Sequence, residues 1–226
     1  MGFDFFPLWI SLRAVLLATA ITFFLGLLFA WLISKSNSRL KHVFDGILML
    51  PLVLPPTVTG FFLLLLFSTH GFLGKILLLF DIRVIFSWGA TVIAAAVVSF
   101  PFMYRTCRGA FELIDENILN AGKTLGASDW KLFWKVAVPL AWPGIVAGTL
   151  LAFARALGEF GATLMIAGNI PGQTQTIPMA IYFSAQGGDM HTALIWVLII
   201  FAVSLITMIL INYWLESRKN KLLGKK

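Results

Sequence analysis

Asn120-Ala121-Gly122-Lys123-Thr124-Leu125-Gly126-Ala127-Ser128-Asp129-Trp130 is a polar, glycine-punctuated stretch that runs on to Val136-Ala137-Val138-Pro139, with long apolar sequence on either side. A chain that breaks its apolar runs with one patterned, charged loop is showing that loop to water and to a partner. The segment from Arg105 to Lys135 also holds Arg108, Glu112, Asp115, Glu116, Lys123 and Lys131, so it has to stand outside hydrocarbon.

Composition sets the class. Of 226 residues, 59% are hydrophobic and 12% charged, too little polar surface to coat a water-soluble globule. Five runs lack Asp, Glu, Lys and Arg: Ala14 to Ser34, Gly46 to Thr69, Val84 to Tyr104, Val136 to Ala154 and Met190 to Leu215. Each meets or approaches the roughly 20 residues that cross about 30 Å of hydrocarbon. The sequence therefore predicts an all-α polytopic membrane protein with five transmembrane helices, a single domain over residues 1–226. Phe160 to Gly188 is also uncharged, but Asn169, Pro171, Gly172, Gln173, Gln175 and Pro178 read as an irregular extracytoplasmic connection, tucked partway into the protein. Met1-Gly2-Phe3-Asp4 has no basic region of the kind that opens a cleaved signal, so the first apolar run is expected to stay in the mature chain.

The basic residues set the orientation. Lys35, Arg39 and Lys41, the loop at residues 105–136, and the tail with Arg218, Lys219, Lys221, Lys225 and Lys226 fall on one side; Arg13, Lys75 and Arg83 fall on the other. The positive-inside rule gives an extracytoplasmic N-terminus and a cytoplasmic C-terminus. The net charge of +7 is explained by this topology without nucleic acid, and the tail is a topology signal beside anionic lipid. Cys107 is alone, and His42, His70 and His191 are scattered, so no metal site is expected.

Within the loop, Ile114, Ile118, Ala121 and Leu125 recur on one helical face, with Glu112, Asp115 and Glu116 near its start. Gly126 turns the chain, Ser128 caps a second helix, and Trp130, Phe133, Trp134 and Ala137 form a second stripe that ends at Pro139. Helix, sharp turn and short helix is one reading; an amphipathic helix lying on the membrane surface is the other.

The spacing resembles the EAA loop of ABC importer permeases: Glu-Ala-Ala, three residues, Gly, nine residues, then Ile-x-Leu-Pro. Asn120-Ala121-Gly122, Gly126 and Val136-Ala137-Val138-Pro139 fill those places, with Asn120 for Glu, Gly122 for Ala and valines for Ile and Leu. Leu50-Pro51-Leu52-Val53-Leu54-Pro55-Pro56-Thr57-Val58-Thr59-Gly60, Ala152-Phe153-Ala154-Arg155-Ala156-Leu157-Gly158-Glu159-Phe160-Gly161-Ala162-Thr163 and Asn169-Ile170-Pro171-Gly172-Gln173-Thr174-Gln175-Thr176-Ile177-Pro178 are similar to the molybdate permeases of that superfamily. The resemblance implies a type I ABC importer permease fold. It makes Asn120, Ala121, Gly122, Lys123, Thr124, Leu125, Gly126, Ala127, Ser128, Asp129 and Trp130, with Pro139, a cytoplasmic coupling helix and its flank. It further implies a homodimer, two cytoplasmic ABC ATPase subunits carrying ATP and Mg²⁺, and an extracytoplasmic oxyanion-binding protein, in a bacterial inner membrane. The cargo would be molybdate, with tungstate or sulfate as alternatives.

The residues bear on transport in their own right. Pro51, Pro55 and Pro56 remove helical donors mid-span and kink or unwind it, as a pore-lining or moving element or as a static kink. Gly144 and Gly148 allow close helix approach, within the chain or between copies. Arg155 and Glu159 share a helical face, as a translocation-path pair or as a structural ion pair; continuation of that helix to Ala167 would set Arg155 deep. No Gly-x-x-x-x-Gly-Lys-Ser/Thr loop is present, so ATP hydrolysis is expected in another polypeptide, and this chain is expected to have no catalytic residue and no cofactor of its own. A secondary transporter would run on ions, for which Glu159 is the one acidic candidate within the spans. A non-transporting sensor or assembly subunit is a third class.

Overall fold

The computed structural model describes residues 4–36 and 38–222, with side chains described to residue 209 of the last helix. The side chains of the basic tail from Arg218 to Lys226, the backbone of that tail beyond residue 222 and the start Met1-Gly2-Phe3 lie outside what is described. Every regular element among the described residues is helical. In chain order these are α1 (Phe6–Ser34), α2 (Lys41–Val53), α3 (Pro56–Phe67), α4 (Phe72–Leu78), α5 (Trp88–Glu112), α6 (Glu116–Thr124) and α7 (Asp129–Leu132). A π-helical turn (Phe133–Ala137) then leads into α8 (Val138–Leu157), followed by α9 (Gly161–Ala167), α10 (Ile177–Gln186) and α11 (Met190–Leu222).

Among the described residues four stretches are long and apolar enough to cross a membrane alone: Phe6–Ser34, Trp88–Glu112, Asp129–Leu157 and Met190–Ile209. The pair α2 and α3 passes the same test only when taken together, and it is bent by 115° at its break. Its two halves contact opposite ends of α5. Asp45 of α2 meets Tyr104 and Arg108 near the end of α5, whereas Leu63 and Phe67 of α3 share a cluster with Ala90 and Ala94 at the start of α5 and with Val84 and Ile85 just before it. The prolines explain the break. Leu54 and Pro55 are extended (ψ 141° and 138°), and Pro56 opens α3, where its missing N–H costs nothing.

Small residues set the packing. α5 is the central helix, with Ala90, Ala94, Ala95 and Val98 buried along it. A Cβ on Gly26 of α1 would lie 2.6 Å from Met103 Cγ, and one on Gly144 of α8 would lie 2.4 Å from Ala110 Cβ. The Gly144 and Gly148 step thus seats α8 on α5 within one chain.

Three expectations are corrected. The stretch from Phe160 to Gly188 is not irregular throughout; it contains α9 and α10. Thr174, fully buried, donates its hydroxyl to the Gly168 carbonyl and accepts from the Ile170 N–H, satisfying a loop that composition alone leaves in need of water. The short helix after Gly126 does not end at Pro139. It continues to Leu157 through the π turn, in which the Val138 N–H reaches back to the Phe133 carbonyl. Arg13, placed by sequence in a loop, lies within α1, with its guanidinium 5.5 Å and 5.1 Å from the Trp9 and Trp88 rings.

Candidate functional site

The bend between α6 and α7 is built by hydrogen bonds. Asp115 caps α6, its carboxylate accepting from the Asn117 N–H at 2.8 Å. Glu112, assigned by sequence to the start of this helix, instead ends α5 and pairs with Arg108. At the other end Gly126 has φ +78°, its N–H bonds the Lys123 carbonyl, and the Ala127 N–H bonds the Gly122 carbonyl. This double closure needs a left-handed residue, which glycine supplies without a Cβ penalty. Ser128 then caps α7, accepting from the Lys131 N–H at 3.3 Å. The helix, turn, helix reading holds in this geometry.

Which face is buried differs from the periodicity. Leu119 and Gly122 turn inward, Gly122 lying against the buried Leu132. The stripe of Ile118, Ala121 and Leu125 is exposed, with Leu125 at 89% and Trp130 beside it at 67%. Asn120, Lys123, Thr124, Ser128 and Asp129 are exposed too, and Ala127 is half-buried. The second stripe splits: Phe133 and Ala137 are buried, while Trp130 and Trp134 face outward and Pro139 is exposed.

Beneath the bend is an aromatic pedestal. Trp31 of α1 packs 5.3 Å from both Phe111 of α5 and Phe133, and Trp130 and Trp134 extend the cluster outward. Lys35, at the end of α1, places its Nζ 3.8 Å from the Trp31 ring centre and 3.1 Å from the Asp129 carboxylate. The exposed apolar face therefore stands on a rigid base joined to α1, α5 and α8. The sequence reading used Lys35 for topology alone and did not single out Trp31 or Phe111; Lys35 and Asp129 are 94 residues apart and no local pattern links them.

The candidate path residues divide into two places. Pro55 and Pro56 are exposed at the break, and Gly161 at the start of α9 packs on Pro56, where an added Cβ would lie 3.1 Å from Pro56 Cβ. Pro51, inside α2, instead lines an apolar groove of about 360 Å³ with Ile21, Leu25, Phe29, Val97 and Phe100. α8 stops at Leu157, so it does not carry Arg155 deeper by continuing to Ala167. Glu159 has one carboxylate oxygen on the Ala162 N–H at 2.7 Å, which caps α9, and the other 2.9 Å from Arg155. Its side chain is 2% exposed while that of Arg155 is 26% exposed, so the pair is anchored inside and reaches outward through the guanidinium.

A further charged group joins the broken span to α5. Tyr104 donates to the Asp45 carboxylate at 2.7 Å, Arg108 pairs with that same carboxylate, and Arg108 also pairs with Glu112 at 2.8 Å. Asp45, Tyr104, Arg105, Arg108 and Glu112 line a cavity of about 290 Å³. Among the described residues no three His, Cys, Asp or Glu side chains gather as a metal site.

Known proteins resemble this chain along nearly all of its length. The molybdenum transport system permease protein ModB of Escherichia coli K12 is 43% identical over 96% of this chain and 95% of its own. ModB of Haemophilus influenzae is 43% identical over 89% and 88%, and the sulfate transport system permease protein CysT of Escherichia coli K12 is 37% identical over 92% and 75%. A solved inward-facing structure of the MetNI methionine ABC transporter has a TM-score of 0.71 at 15% identity over 93% of this chain and 94% of that one, and an amino acid ABC transporter has 0.63 at 19% over 92% and 90%. At those identities the likeness shows the shared fold, that of type I ABC importer permeases. Residues 22–221 match the profile of binding-protein-dependent transport system inner membrane components, and the chain belongs to that family of multi-pass inner-membrane transport permeases.

Proposed function

We propose that this chain is the molybdate-conducting permease of an ATP-driven importer, working as a homodimer with two cytoplasmic ATPase subunits and an extracytoplasmic binding protein. The observation that carries the reading is the bend around Gly126: its apolar residues Ile118, Leu125 and Trp130 face outward on a pedestal wired to the spans. Burying such a face against a partner gains roughly 25 cal/mol per Å², and a rigid base passes the partner's displacement on. ATP-driven closure of the ATPases draws the two bends together and opens the outer side; hydrolysis restores the inward-facing state. On this reading residues 1–226 form one transmembrane domain, with the basic end of the bundle and the C-terminus in the cytoplasm. The exposed prolines at the break and Arg155, held by Glu159, border the path.

Identity favours molybdate, since the molybdenum permeases match at 43% and the sulfate permease at 37%. Tungstate shares the tetrahedral dianionic form and is expected to compete. The test is uptake of labelled molybdate, tungstate and sulfate into vesicles holding the assembled complex. ATP-dependent molybdate uptake, blocked by tungstate and not by sulfate, supports the reading; ATP-dependent uptake of sulfate alone would assign the chain to sulfate. Ion-driven uptake without a co-purifying ATPase would overturn the importer mechanism.

A further inference from the structure

We propose that Asp45, Tyr104 and Arg108 form a latch that holds the lower half of the broken span against α5 and opens once in each transport cycle. The proposal rests on the coupling reading above and adds the joint through which the coupling bend reaches the proline break.

The end of α5 carries two contacts at once. Phe111 is part of the pedestal under the bend, packed 6.1 Å from Phe133. One turn earlier Arg108, and one turn before that Tyr104, hold Asp45 of α2. Displacement of the bend therefore loads the same last turns of α5 that grip α2. Nine residues beyond Asp45 the helical ladder ends, Leu54 and Pro55 are extended, and the axis turns by 115°. α2 is a short lever with a break in its hydrogen-bond ladder at the far end and a polar clasp at its near end.

The chemistry of the clasp is that of a joint made to open. A fully buried pair would leave a naked charge when parted. Here both partners are half-buried and face the cavity of about 290 Å³, so the Asp45 carboxylate can exchange protein donors for water. Arg108 keeps a second carboxylate, Glu112, at 2.8 Å, and its Nη1 lies 3.4 Å from the Tyr104 hydroxyl. When Asp45 leaves, the guanidinium stays paired and the tyrosine keeps a neighbour. Partners left in place on the α5 side lower the cost of the open arrangement, which a population shift requires.

The experiment uses the full complex with its ATPase in vesicles. In a Cys107→Ser background, Asp45→Cys and Arg108→Cys are joined by a short bifunctional methanethiosulfonate reagent. The expected result is that joining lowers uptake at least about tenfold and reduction restores it, with the ATPase still bound. Cross-linked uptake within about twofold of the reduced sample would overturn the latch while leaving the coupling reading intact. Failure of the Cys107→Ser complex, with Asp45 and Arg108 intact, to hold an ATPase would overturn both. Asp45→Asn, which keeps an oxygen for Tyr104 and removes the ion pair, is expected to raise ATP hydrolysis without substrate about threefold; hydrolysis and uptake both at wild-type levels would contradict the proposal.

Discussion

The backbone of Gly122 lies so close to the Leu132 side chain that a Cβ at position 122 would stand 2.4 Å from Leu132 Cδ2. This contact sets how closely α6 approaches α7, because Leu132 is itself buried and has little room to give way. Gly122→Val is expected to splay the bend, since overpacking costs about 1–3 kcal/mol, and to lower ATPase stimulation by the binding protein. Leu132→Ala in the same chain is expected to recover part of the loss. Stimulation unchanged in the single variant would contradict a tightly set bend.

Gly126 has φ +78° with nothing within 4 Å of an added Cβ, so its constraint is conformational and not steric crowding. A β-branched residue in that region costs about 1–2 kcal/mol, and asparagine tolerates it better. Uptake is expected to fall in the order Gly126→Asn, Gly126→Ala, Gly126→Val, with normal membrane yield for all three. Equal uptake by Asn and Val variants, at matched yield, would show that the left-handed turn does not matter to coupling.

Gly60 and Gly46 offer a matched pair in the broken span. A Cβ on Gly60 would meet the backbone of Ala162 at 2.7 Å, whereas one on Gly46 meets nothing within 4 Å. Gly60→Ala is expected to lower the thermal midpoint of the detergent-purified protein, through a strain of about 1–3 kcal/mol. Gly46→Ala gains about 1 kcal/mol of helix propensity and is expected to leave that midpoint unchanged or raised. The reverse order in a thermal melt would mean that α3 and α9 are not packed as described.

Glu159 and Arg155 separate by role. Glu159→Ala removes both the α9 cap and the partner of Arg155, a loss of about 2 kcal/mol for a charged hydrogen-bonded group, and is expected to lower the thermal midpoint. Glu159→Gln keeps an acceptor for the Ala162 N–H and is expected to lower it less. Arg155→Gln is expected to reduce uptake with little change in melting; full uptake in that variant would remove Arg155 from the path.

The spans were legible because a charge in hydrocarbon is costly, so its absence over some 20 residues marks a crossing. Gly126 and Ser128 were legible because a left-handed turn and a helix cap each demand a particular residue type. The buried face of α6 was not, because Leu119 with Gly122 and Ile118 with Ala121 are both apolar pairs on a nine-residue helix. Only the position of Leu132, across the turn, selects between them. α9 and α10 were hidden because Gly, Pro and Gln in their neighbourhood describe a loop in water, whereas here side chains such as Thr174 satisfy the backbone. The clasp at Asp45 was hidden because two opposite charges at the edges of separate spans carry no pairing signal in one sequence.

The most direct measurement is modification of a single cysteine at Leu125→Cys, in a Cys107→Ser background, by a membrane-impermeant maleimide in inside-out vesicles. The coupling role predicts rapid labelling when the ATPase has been stripped away and labelling slowed at least about tenfold when it is bound, the protection expected of a desolvated contact. Labelling from the extracytoplasmic side alone, or at one rate with and without the ATPase, would contradict it.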